Sequence, residues 1–164
     1  MSESRIDWTV ALTAAGVAAV ATTATLALLG KKETGSAAAP INAVSHIAWG
    51  DEAATKDATD VKHTAVGEVL HAGANLAWAV AQELLFGKWM RAGGPGRTLV
   101  AGGLTSALAY VTDYFVVPKR LTPGFEMRLS KGSLGLTYLV LALSLAAGSA
   151  VGNSVKNAET NSAP

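Results

Sequence analysis

Three histidines, His46, His63 and His71, all fall in the first half of the 164-residue sequence, with Asp51, Asp57, Asp60 and Glu68 among them. Imidazole beside carboxylate is the pairing that metal centres and proton transfer use, so their spacing is weighed first. His63 and His71 are eight residues apart, about 80° around a helix at 100° per residue. They therefore do not make the i, i+4 clamp that holds one ion from a single helix. A zinc-type candidate site is left to His46, His63 and Asp60, and it requires the segment carrying His46 to fold back over the helix that begins near His63. The plainer alternative gives both histidines ordinary interfacial hydrogen bonds.

His71 and Asp113 point to a second chemistry, because both lie inside long apolar stretches. An ionisable group in a membrane span costs about 2.5 to 3.5 kcal/mol on insertion scales, so it marks a functional site with a partner to be named. Antiparallel spans joined by a short turn bring the two residues into the same half of the membrane. With Asn75, Glu68, Tyr110 and Gln82 they form a candidate intramembrane polar network able to relay a proton or bind a cation. The competing reading is a structural lock between helices.

Other chemistries lose their residues. The chain has no Cys, which removes disulfides, thiolate zinc and iron–sulfur clusters. Haem needs a ligand opposite His71 at similar depth, and Met90 and Met127 fall in loops, so no cofactor is expected. Arg91-Ala92-Gly93-Gly94-Pro95-Gly96-Arg97 is glycine-rich but lacks the Lys-Ser/Thr ending of a phosphate loop; no HExxH and no nucleophile elbow occur. No enzyme is expected.

The elements that must position these residues follow from where charge is missing. Half the residues are hydrophobic and only 15% are charged, against about a quarter in a soluble domain; the mean hydropathy is +0.32. The net charge of +1 leaves no basic footprint for nucleic acid. A membrane helix needs about 20 mostly apolar residues. Residues 8–30 and 132–155 are free of charge, residues 98–118 contain only Asp113, and residues 64–86 are interrupted by Glu68 and Glu83. The expected fold is an all-α integral membrane four-helix bundle, a single domain over residues 1–152 with spans at about 8–30, 64–86, 98–118 and 132–152. Ile41 to Trp49 is expected to form a short interfacial helix in the first loop, and residues 153–164 a disordered tail. Glu3 and Asp7 beside Arg5, together with the length of the first apolar run and Pro40 after Ala37-Ala38-Ala39, favour a retained anchor over a cleaved signal peptide.

Membrane helices associate through small and polar residues, so each span should turn such a stripe inward. The expected stripes are Thr9, Thr13, Gly16, Val20, Thr23 and Ala27 on the first span, and Gly102, Ser106, Ala109 and Asp113 on the third. The fourth offers Ser133, Thr137, Ser144 and Gly148, and the second Thr64, Gly67, Glu68, His71, Asn75, Trp78 and Gln82. Glu83 lies off the second stripe and is expected to snorkel at the boundary, while Phe125, Met127 and Leu129 form a surface segment at the headgroups. Loops one and three hold eight of the 13 Lys and Arg residues, the termini and loop two the other five, which puts loops one and three in the cytoplasm.

The segments Pro40-Ile41-Asn42-Ala43-Val44-Ser45-His46-Ile47-Ala48-Trp49-Gly50-Asp51 and Asp113-Tyr114-Phe115-Val116-Val117-Pro118-Lys119-Arg120-Leu121-Thr122-Pro123-Gly124-Phe125-Glu126 resemble small bacterial inner-membrane proteins of unknown function. The resemblance covers about residues 37–145. It implies a bacterial inner-membrane location and transfers no active-site residue. The expected role is a non-enzymatic structural or interaction module, whose partners are the lipid bilayer and either a second copy or another protein; the alternative is a small oligomeric transporter or channel, or a metal-binding membrane protein, using the polar stripe of the second helix.

Overall fold

In the computed structural model, which describes residues 6–162, the first uncharged run becomes helix α1 (Trp8–Thr34). Asp7 accepts from the Val10 N–H at 3.4 Å at its start, and Gly35, at φ 80°, closes it in the left-handed conformation that a residue lacking Cβ adopts without strain. Ser2, Glu3 and Arg5 lie outside the described residues. The first loop folds into α2 (Ala39–Val44) and α3 (His46–Trp49), and Pro40 suits the first turn of α2 because its missing N–H would have no helical partner there. A π turn at Val61–Ala65 leads into α4 (Val66–Arg91). After the Gly93-Gly94 turn comes α5 (Pro95–Val111), extended by a π turn at Thr112–Val116. The last helix, α6 (Lys131–Ser162), follows two short 3-10 turns. No strand occurs among the described residues.

Among the described residues, three helical segments are long and apolar enough to cross a membrane: α1, Pro95–Val116 and α6. The helix expected as a further span, α4, falls outside that set; Glu68, His71, Asn75, Gln82 and Glu83 offset its apolar residues. Helix α6 corrects the expectation of a disordered tail beyond residue 152. It continues through Ser162, and Lys156 on the continuation pairs with Asp7 at the start of α1.

Helix α1 packs against α6 and α4, and α5 packs against the same two. Small residues allow the close contacts. A Cβ at Gly148 would stand 2.5 Å from Ala14 Cα, and one at Gly102 would meet the Ala142 carbonyl oxygen, so both positions bring backbones together. Gly102 and Ser106 thus sit at the helix contact expected for them, where the Ser106 hydroxyl donates to the Tyr138 carbonyl at 2.6 Å. The stripes of α4, α5 and α6 face inward, but that of α1 does not. Its buried face is Val10, Ala11, Ala14, Ala15, Ala18, Thr22 and Leu26, while Gly16 and Val20 point outward. With eight Ala and five Thr in residues 8–30, small side chains line both sides of this helix, and their pattern alone does not select a face.

Residues 41–46 of the expected interfacial helix are buried rather than interfacial, while Trp49 at its end is exposed. Every residue of α2, with Ser45 and His46 after it, is buried, because Gly67 lets α4 approach the Ile41 carbonyl. Asn42 ties the segment down: its amide donates to the Lys56 and Ala58 carbonyls, each at 2.9 Å, and its oxygen accepts from the Thr64 hydroxyl at 2.6 Å. In the third loop Phe125 and Leu129 are buried in the core, correcting the expected surface segment, and Met127 alone of the three is exposed. The Glu33 carboxylate accepts from the Ser130 N–H and from the hydroxyls of Ser130 and Ser133, so α1 satisfies donors at the start of α6.

Candidate functional site

The four long helices and the third loop converge on one cavity of about 50 Å³. Thr22 comes from α1; His71, Ala74, Asn75 and Trp78 from α4; Asp113 from the π turn after α5; Thr137, Tyr138 and Leu141 from α6; Pro123 and Phe125 from the loop. On α4 the spacing 71, 75, 78 is that of one helix face, so a single helix brings imidazole, amide and indole to the same wall.

His71 and Asp113 share this cavity without bonding to each other. Tyr138 donates its hydroxyl to Asp113 Oδ2 at 2.6 Å, and His71 Nε2 lies 2.7 Å from Thr22 Oγ1. The Thr22 oxygen is also 2.7 Å from the Ala18 carbonyl, and Asn75 Nδ2 lies 3.2 Å from the same His71 Nε2, so this nitrogen sits between a hydroxyl and an amide. The Asn75 amide donates to the His71 carbonyl at 2.9 Å, which orients the side chain and leaves Oδ1 buried with no partner. The expected direct pair is therefore corrected to two separate bonds in one cavity, with acceptor atoms left over.

The other members of the expected network go elsewhere. Glu68 accepts from the Thr23 hydroxyl at 2.8 Å. Gln82 donates to the Ser149 hydroxyl at 2.9 Å, a lock between α4 and α6. Tyr110 joins an aromatic cluster, its ring 5.0 Å from that of Tyr114 and 5.2 Å from that of Tyr138 in an edge contact. The two residues that sequence reasoning missed are Tyr138 and Thr22. Tyr138 adjoins Thr137 of the α6 stripe, and a phenol in an otherwise uncharged span is a natural donor to the acid of a neighbouring one; Thr22 was hidden by the wrong choice of face on α1.

The candidate metal site does not assemble. His46 Nε2 donates to the Thr122 carbonyl at 2.9 Å, with Asp51 3.5 Å from its other nitrogen. His63 instead meets Asp60, Nδ1 to Oδ2 at 2.8 Å. The residues of α2 and α3 pack against the third loop, which separates the two imidazoles, and no group of three or more His, Cys, Asp or Glu able to hold a metal ion occurs among the described residues. The His63 ring and backbone N–H, both on Asp60, hold the Asp60 carboxyl below its ordinary range.

At the opposite end, Glu83 is fully buried, paired with Arg91 and near the Asp7 N–H at 3.4 Å. It does not snorkel, because Arg91 reaches back two turns along α4 to meet it. Burial works against the Asp7 charge, but the Lys156 ammonium and the Val10 N–H outweigh it and hold this carboxyl below its usual range. Comparison with protein-family models, curated proteins and solved structures finds no match.

Proposed function

We propose that this chain is a four-span integral membrane protein of a bacterial inner membrane, in which α1, α4, α5 and α6 form a four-helix bundle acting as a non-enzymatic structural or interaction module. The observation that carries this reading is the inversion of polarity between outside and inside. Leu12, Val20, Leu28, Val69, Leu84, Leu99, Leu104, Leu108, Leu139 and Leu143, spread over the four long helices, are exposed, while Thr22, His71, Asn75, Gln82, Thr105, Ser106, Ser144 and Ser149 are buried. A soluble protein would expose a contiguous apolar surface of this kind only at an interface; hydrocarbon accepts it on every side, and the buried polar groups bond helix to helix. For α4 the same logic supports a span: its apolar Val69, Leu76, Leu84 and Leu85 face outward and its polar stripe faces the other helices. At 26 residues it is about 39 Å long, enough for a hydrocarbon core of about 30 Å.

The buried α2 and the third loop close one end of the bundle and leave Trp49, Phe115, Val116 and Leu121 exposed around it, a surface suited to a protein partner or a second copy. Alkaline carbonate extraction of bacterial membranes containing the chain tests the reading. The protein should stay in the pellet and require detergent for release; recovery in the carbonate supernatant would overturn it.

A further inference from the structure

The cavity between α1, α4 and α6 carries acceptor atoms that no hydrogen bond among the described residues satisfies. Tyr138 spends its hydroxyl proton on Asp113 Oδ2, so the other carboxylate oxygen has no partner among the described residues. Asn75 is 4% exposed, its amide nitrogen is engaged by the His71 carbonyl and by His71 Nε2, and Oδ1 is buried and unpartnered. No Lys or Arg lines the space; the nearby Glu126 lines a neighbouring cavity together with Lys119.

A buried acceptor left unmatched is costly, and a carboxylate away from water needs a counter-charge. One negative charge asks for one positive charge, which disfavours a divalent ion. Two acceptors, a carboxylate oxygen and an amide oxygen, and the aromatic rings of Trp78, Phe125 and Tyr138 suit a cation that carries its own N–H donors and is attracted by ring faces. The volume of about 50 Å³ has room for a few water-sized groups, which excludes a bulky quaternary amine. We propose that this cavity binds a small ammonium-type cation, ammonium or methylammonium, with Asp113 as counter-ion, Asn75 Oδ1 as acceptor and Trp78 as an aromatic wall. The proposal draws on the membrane reading for its apolar surroundings.

Titration calorimetry on the full chain purified in detergent tests it, with ammonium chloride and methylammonium chloride compared with sodium chloride and tetramethylammonium chloride at equal ionic strength and fixed pH. Saturable heat from the first two salts and none from the last two is expected. Asp113→Asn should weaken the binding by about thirtyfold or more. Should that variant not fold, Asn75→Ala supplies the same comparison. No saturable heat with the unmodified chain, equal heat from sodium, or undiminished binding in a folded Asp113→Asn protein would overturn the proposal. The two readings fail separately: release by carbonate with the titration intact removes the membrane assignment alone, and retention without titration removes the cation alone.

Discussion

Asp113 and His71 line one cavity, yet Asp113 takes the Tyr138 hydroxyl and His71 the Thr22 oxygen. Which pairs are coupled energetically follows from those partners. Tyr138→Phe strips the carboxylate of its donor and should cost about 1 to 3 kcal/mol. Combined with Asp113→Asn it should cost clearly less than the sum of the single changes, because both remove one bond. His71→Gln and Asp113→Asn, with no shared bond, should add to within about 0.5 kcal/mol when no ammonium salt is present. Thermal unfolding of the four single and double variants in detergent measures both cycles, and strong coupling in the second would mean that the two side chains do meet. His71, Asn75 and Asp113 were legible in the sequence because ionisable and amide groups stand out against apolar spans. Their partners were not, since a hydroxyl on a neighbouring helix is recognised only once the relative height and rotation of the helices are known.

Helix α1 shows where a periodic pattern fails. On α4 the inward face is marked by contrast, with Gly67, His71, Asn75 and Gln82 buried and Val69, Leu76 and Leu84 exposed. On α1 the contrast is absent, and the face is set instead by α6, whose Gly148 and Gly152 accept the backbone of α1 at Ala14 and Val10. Gly148→Leu should therefore overpack this contact and lower stability by about 1 to 3 kcal/mol. Gly16→Leu, at a position where a Cβ meets nothing within 4 Å, should leave the melting temperature nearly unchanged. A larger loss from Gly16→Leu than from Gly148→Leu would restore the face expected from the small-residue stripe. The loop segments failed for a related reason: Ile41 to His46 and Phe125 are amphiphilic enough to lie at an interface, and only the gap above Gly67 and the carbonyls available to Asn42 draw α2 inside.

For the whole molecule, the status of α4 decides the topology. Four spans return both ends of the chain to one side of the membrane; three would separate them. Helix α6, at 32 residues, is about 48 Å long and exceeds a hydrocarbon core of about 30 Å, so on the four-span reading Ser162 is expected to clear the bilayer and be open to labelling. With eight of 13 basic residues in the first and third loops, both termini are expected on the non-cytoplasmic side. The chain has no native Cys, so cysteines at Ser2 and Ser162 can be labelled with a membrane-impermeant maleimide in intact spheroplasts. Both should react. Reaction at one end only would reduce the span count to three, and reaction at both ends only after permeabilisation would reverse the orientation.

Composition summed along the chain determined the all-helical class, the three strongly apolar helices and the polar face of α4, because hydropathy and helical period are local properties that each segment carries alone. Tertiary structure decided the rest. The rotation of α1, the burial of α2, the capture of Glu83 by Arg91 and the division of the expected ion pair into Tyr138–Asp113 and His71–Thr22 all depend on distances between segments remote in sequence. A hydrogen bond weakens steeply once geometry departs from its short optimum, so a small change of height or rotation exchanges one partner for another while hydropathy stays the same.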